Sequence, residues 1–251
     1  MDFSILATWD GLVYLVILSL LEIVLGIDNI IFISIVTDKL KAEQKRKARN
    51  IGLLLALGVR LFLLSVVAWI MGMTKPLFPN TEIEMLKDFS AQGVVLLLGG
   101  LFLIYKSTVE MHSSVKGHEE VHAPKGGGMR AVIGQIVMID IVFSFDSIIS
   151  AIGMTNGMAK ETGGNPMVII YAAVIISMLV MLSFAKQISD FINNRPTIKM
   201  IALGFLVTIG VILVAEAFHQ HIPKGYIYFA MVYSLIVEFL NIRMRKNKGL
   251  E

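Results

Sequence analysis

Five carboxylates stand inside stretches that are otherwise apolar: Glu22, Asp28, Asp140, Asp146 and Glu216. Arg60 is the one obvious base at comparable depth. An ionised acid at the centre of a lipid-embedded helix costs about 2.5–3.5 kcal/mol on insertion scales, so five against hydrocarbon would be prohibitive. They must be protonated, paired, hydrated in a cavity or bound to a cation. One arginine neutralises one acid and leaves four. A divalent cation accounts for the remaining charge most economically.

Four of the five acids belong to a repeat. Leu21-Glu22-Ile23-Val24-Leu25-Gly26-Ile27-Asp28-Asn29-Ile30-Ile31 aligns without gaps on Ile139-Asp140-Ile141-Val142-Phe143-Ser144-Phe145-Asp146-Ser147-Ile148-Ile149. Glu22 thus matches Asp140, Asp28 matches Asp146, and Asn29 matches Ser147. A fainter echo pairs Gly100–Lys106 with Gly210–Glu216.

The candidate ligands are therefore Glu22, Asp28, Asn29, Asp140, Asp146 and Ser147. All offer oxygen, which suits hard cations such as Mn, Ca or Mg over Zn or Cu. The chain has no cysteine, which excludes thiolate sites and disulfides, and its fifteen methionines read as packing. On an unbroken helix Glu22 and Asp28 are about 120° apart and about 9 Å apart along the axis. Either the helix breaks near Gly26, as helices do at transporter ion sites, or Glu22 and Asp140 act separately as gate or proton carriers. Inverted helices crossing near the midplane would bring Asp28 and Asp146 together. Arg60 reads as an ion-pair partner, with a gate or proton path as the alternative. Glu216, just before His219 and His221, reads equally as an external release site and as an interfacial acid.

The elements that must carry these residues are long helices. The chain has 251 residues, 56% hydrophobic and 16% charged, a membrane composition. Seven apolar stretches are long enough to span: near Gly11–Val36, Ile51–Met73, Ser90–Thr108, Ala131–Met154, Met167–Ala185, Met200–Phe218 and Gly225–Ile242. The N-terminus lacks the basic region of a signal peptide. Alternate connections, with the tail, hold seventeen basic residues against four on the other side. The positive-inside rule then sets the N-terminus outside and the C-terminus in the cytoplasm. Basic residues confined to membrane-flanking loops also argue against nucleic acid as a partner.

The expected fold is all-α and polytopic: two inverted three-helix repeats plus one C-terminal helix. Residues 1–108 form the first repeat, 109–130 a cytoplasmic linker, 131–218 the second repeat, and 219–251 the seventh helix with its basic tail. Glu110, His112, His118, Glu119, Glu120 and His122 near the linker match no tight metal motif and read as a flexible polar segment, with metal capture by the histidines before entry as the alternative.

At these motifs the chain resembles the TerC family of integral membrane proteins, within the LysE transporter superfamily. The resemblance is carried by Leu21 to Ile31 and Ile139 to Gly153, by Trp69-Ile70-Met71-Gly72, by Gly99 to Lys106, and by His221 to Tyr228. It implies export of manganese across the bacterial inner membrane through a site built from both acidic motifs. Carried residue by residue, it points to Glu22, Asp28, Asn29, Asp140, Asp146 and Ser147. The expected partners are the transported Mn2+ (or Ca2+ or Mg2+), protons and the lipid bilayer, with no prosthetic group. Many family members carry soluble C-terminal domains; this chain ends soon after its last span, so none is expected. Two rivals stand beside export. One is a membrane assembly or partner-binding protein whose acids are pairing devices. The other, an intramembrane aspartyl protease, lacks support because Gly-Ile-Asp28 and Ser-Phe-Asp146 depart from a Gly-x-Gly-Asp pattern; no enzyme activity is expected.

Overall fold

Each long apolar stretch folds, over its described residues, as an α-helix, because hydrocarbon leaves a spanning backbone few other ways to satisfy its N–H and C=O groups. The computed structural model describes residues 8–66, 90–116, 128–162, 166–220, 222–223 and 225–247. The side chains of 146, 150, 153–154, 156–162 and 166 lie outside that set. Among the described residues seven helices follow in order: α1 Trp9–Asp38, α2 Ala42–Ser65, α3 Ala91–Val115, α4 Gly128–Thr162, α5 Pro166–Asn193, α6 Pro196–Ala217 and α7 Gly225–Asn247. All seven contain a segment long and apolar enough to cross a bilayer. The protein is an all-α, multi-pass membrane protein.

Local chemistry sets the ends. Thr8 caps α1 by accepting from the Gly11 N–H at 3.1 Å, and Ser90 caps α3 by accepting from the Gly93 N–H at 3.1 Å. Pro196 opens α6, where a missing N–H costs nothing. That helix closes with His219 in the left-handed region, at φ 58°. The Gln220 N–H then reaches the Ala215 carbonyl and the His219 N–H the Glu216 carbonyl, satisfying the last turn.

Four helices, α2 to α5, run seven residues or more beyond their apolar stretches. α2 begins at Ala42 rather than Ile51, because Ala42 to Arg49 are strong helix formers and Ala48 and Arg49 find buried positions. α3 continues past Thr108 to Val115, burying Ser107 and Glu110 and carrying His112. His118, His122, His221 and the Trp69–Gly72 stretch lie outside the described residues.

The helices form two compact units that cut across chain order. The first holds α1, α2, α4 and α5 as far as Ser189. Its α1 is lipid-like on its early turns, with Trp9, Val16 and Leu20 exposed, and is buried on every side from Asp28 to Thr37. At Gly52, α2 closes on α4, where an added Cβ would meet Ile136 Cδ1 at 2.8 Å. At Gly26, α1 closes on α5, against the Met181 thioether. Eight residues further on, Ser34 Oγ donates to Ser189 Oγ at 3.0 Å.

The second unit holds α3, α6 and α7. Its centre is the contact of Gly100 with Gly210, the pair matched in the fainter repeat. A Cβ on Gly100 would meet the Gly210 carbonyl oxygen at 2.7 Å. Only hydrogen side chains allow backbones so near, the small-residue packing usual in membranes. Against α6, α7 places Tyr228 beside Phe205 and Glu238 near Thr197. Arg245 donates to Glu238 at 2.9 Å.

Candidate functional site

The site grows from the repeated motifs on α1 and α4. Gly26 and Ser144 hold matching places in the two copies. α1 runs unbroken through Gly26, so the helix break that would put Glu22 and Asp28 on one face does not occur. The two acids point in directions about 120° apart. Both are buried nonetheless, each 2% exposed: α1 is enclosed from Asp28 onward, whereas at Glu22 one face still carries the exposed Leu20 and Val24 and the acid turns to the buried Arg60.

Glu22 faces Arg60. Arg60 Nη1 donates to Glu22 Oε2 at 2.7 Å, and Arg60 Nε donates to Asp140 Oδ1 at 3.2 Å. All three side chains are almost completely buried. The single arginine thus serves two acids rather than one, since a guanidinium presents five N–H donors in a rigid fork. It joins the matched acids of the two repeats. Asp140 is further satisfied by Asn29 Nδ2, which donates to Oδ1 at 3.0 Å, and by Ser144 Oγ, which donates to Oδ2 at 3.4 Å.

The remaining candidates lie close in sequence and differ in surroundings. Asp28 is buried on α1 immediately before Asn29. The Asn29 carbonyl oxygen Oδ1 is buried without a hydrogen-bond partner, an acceptor facing no donor. Ser147 is buried on α4 and donates to the Ser144 carbonyl of its own helix at 3.4 Å. Asp146 falls in α4, but its side chain lies outside the described residues. Among the described residues, no three His, Asp or Glu side chains gather where they could hold one metal ion. Glu216 belongs to the second unit, in the last turn of α6 and part-exposed.

Chemically, the described core is two carboxylates bridged by one guanidinium, with a buried amide oxygen beside them.

The model of the integral membrane protein TerC family matches residues 7–249. This protein belongs to the TerC family. The UPF0053 inner membrane protein YgdQ of Escherichia coli K12 is 46% identical over 231 residues, covering 92% of each chain. A UPF0053 protein of Haemophilus influenzae is 45% identical over 247 residues, 97% of this chain and 98% of that one. The inner membrane protein YoaE of E. coli K12 is 43% identical over 241 residues, 95% of this chain but 43% of its own. No solved structure matches the chain.

Within this TerC-family chain, sequence reasoning named every polar residue of the core except Ser144. Its signal was available: it replaces Gly26 in the second copy, and a hydroxyl on a helix four residues after an aspartate is placed to reach it. The double role of Arg60 had no sequence signal, because nothing in α2 records its distance from α1 and α4.

Proposed function

We propose that this protein exports a divalent metal ion, Mn2+ first among Mn2+, Ca2+ and Mg2+, by proton antiport through the α1–α4 carboxylates. One observation carries the reading. Glu22, Asp28 and Asp140 are buried in an apolar helical unit, with the unpartnered Asn29 oxygen among them. Such acids are expensive in a membrane and serve cation pathways in most known settings. The family assignment supports the same reading. Glu22, Asp28, Asn29, Asp140, Asp146 and Ser147 are the cargo's candidate oxygen ligands, with Glu22 and Asp140 also bonded to Arg60. Glu216 serves release on the outer face, with the N-terminus outside and the C-terminus in the cytoplasm of the bacterium.

Export of a dication against 100 mV, inside negative, opposes roughly 4.6 kcal/mol, two charges at about 2.3 each. Coupling is therefore required. Two protons entering per dication leaving make the cycle electroneutral, and protons arriving from outside discharge the carboxylates and release the metal. The test is Mn2+ flux into or out of proteoliposomes holding the purified protein, with and without an imposed pH gradient. Flux driven by the gradient is expected. Flux indifferent to it removes the antiport, and no flux of any of the three ions removes export.

A second reading has its own observation. Arg60 holds Glu22 and Asp140 together, which suits acids that serve only to join helices in a membrane assembly protein. Cellular metal content separates the two readings: cells carrying Asp28→Ala should accumulate metal like cells lacking the protein. Wild-type metal levels in the Asp28→Ala strain would favour assembly.

A further inference from the structure

The repeat extends beyond its motif into α2 and α5, which agree in sequence only by hydropathy. Gly26 faces Met181 and Ser34 faces Ser189, so α1 and α5 run parallel in a fixed register. In the other half, Gly52 faces Ile136. That register, carried along α2 and α4, sets the Arg60 backbone opposite Ser144. From there its side chain leans toward the helix N-terminus, as helical side chains do, and meets Asp140 one turn away. Gly26 and Ser144 are repeat partners, so Arg60 and Met181 hold equivalent places. Burial agrees at the same spacing. Ala48 and Ile169, Gly52 and Ala173, Ala56 and Ser177, and Leu64 and Ala185 are all buried pairs. A fixed cation in one half answers to a thioether in the other.

From this broken symmetry we infer that Arg60 is a tethered counter-cation that the cargo displaces. The inference rests on the export reading and specifies how the site lets go. With Arg60 in place, the ionised Glu22–Asp140–Arg60 group carries one net negative charge, so it draws a dication less strongly than two carboxylates alone. Without it, two more uncompensated carboxylate charges would face the cargo and hold it harder, a trap rather than a passage. Transport needs binding weak enough to leave. The longer contact yields: Nε parts from Asp140 while Nη1 stays on Glu22. The freed Asp140 Oδ1 then lies beside the Asn29 side chain, whose Oδ1 is buried and has no donor.

The experiment compares wild type, Arg60→Met and Arg60→Lys, each full-length in detergent and in proteoliposomes, with MnCl2 as the probe. Arg60→Met gives the first half the residue that the second half already has. Its Mn2+ dissociation constant is expected to fall by about tenfold or more, given the strength of charge pairs at low dielectric. Its Mn2+ flux is expected to fall as well, and Arg60→Lys to lie between. Equal or weaker Mn2+ binding by Arg60→Met, with flux lost, makes Arg60 a helix clamp and overturns the inference. Should Arg60→Met not survive without metal, its melting with and without MnCl2 decides, against NaCl of equal ionic strength. Rescue by manganese supports displacement, and no rescue overturns it. Wild type that neither binds nor moves Mn2+ defeats the manganese export on which the inference rests, which no Arg60 variant alone would do.

Discussion

Asn29 on α1 gives its amide N–H to Asp140 on α4 at 3.0 Å, so the two copies of the repeated motif are joined by a direct bond. Symmetry would ask for the mirror contact, Ser147 with Glu22. Ser147 instead bonds within its own helix, and Glu22 takes Arg60. The pseudo-symmetric core is thus closed by one arginine from outside the motif.

Removing one partner from a buried ion network leaves an uncompensated charge, which costs about 3–5 kcal/mol. Arg60→Ala should lose that much stability in metal-free detergent. The double variant Arg60→Ala with Asp140→Asn should lose about 1–3 kcal/mol less than the sum of the single losses. Reversible unfolding of the four proteins measures the cycle. Additive losses would mean that the Arg60–Asp140 contact contributes nothing.

Gly100→Val should disrupt the second unit by more than about 2 kcal/mol, because its side chain meets the Gly210 backbone, which has no rotamer to move. Gly204→Ala on the same helix as Gly210 meets nothing within 4 Å. It should be neutral or gain up to about 1 kcal/mol from helix propensity. Thermal melting in detergent compares them, and equal effects would discard the close crossing.

Asp28→Asn keeps size and loses charge. It should reduce Mn2+-dependent stabilisation about tenfold or more in concentration, read as the shift in melting with added MnCl2. Unaltered stabilisation by Mn2+ would place the cargo elsewhere.

Glu238 is nearly buried but its partner Arg245 is about half exposed, so their bond is screened by solvent. Glu238→Gln should cost on the order of 1 kcal/mol at low salt and less at high salt. A loss independent of salt would show that packing against α6, not the ion pair, holds α7 there.

Much was legible in the sequence. Hydropathy over seven long stretches determined the helices, since a backbone in lipid must bond to itself, and acids rare in such stretches stood out by cost alone. The gapless match of Leu21–Ile31 with Ile139–Ile149 named the candidate residues, of which Glu22, Asn29 and Asp140 meet around Arg60. Helix ends were less legible: at Ala42 and Val115 propensity and burial carried the helices past the apolar stretch. The tertiary structure alone decided which acids meet which partners. Glu22 and Asp140 share Arg60 because a side chain about 7 Å long can reach two neighbouring helices at once, a fact set by register between α2 and α4. The equivalence of Arg60 and Met181 was also hidden. Buried positions in lipid accept many apolar residues, so α2 and α5 kept a common packing while their sequences diverged.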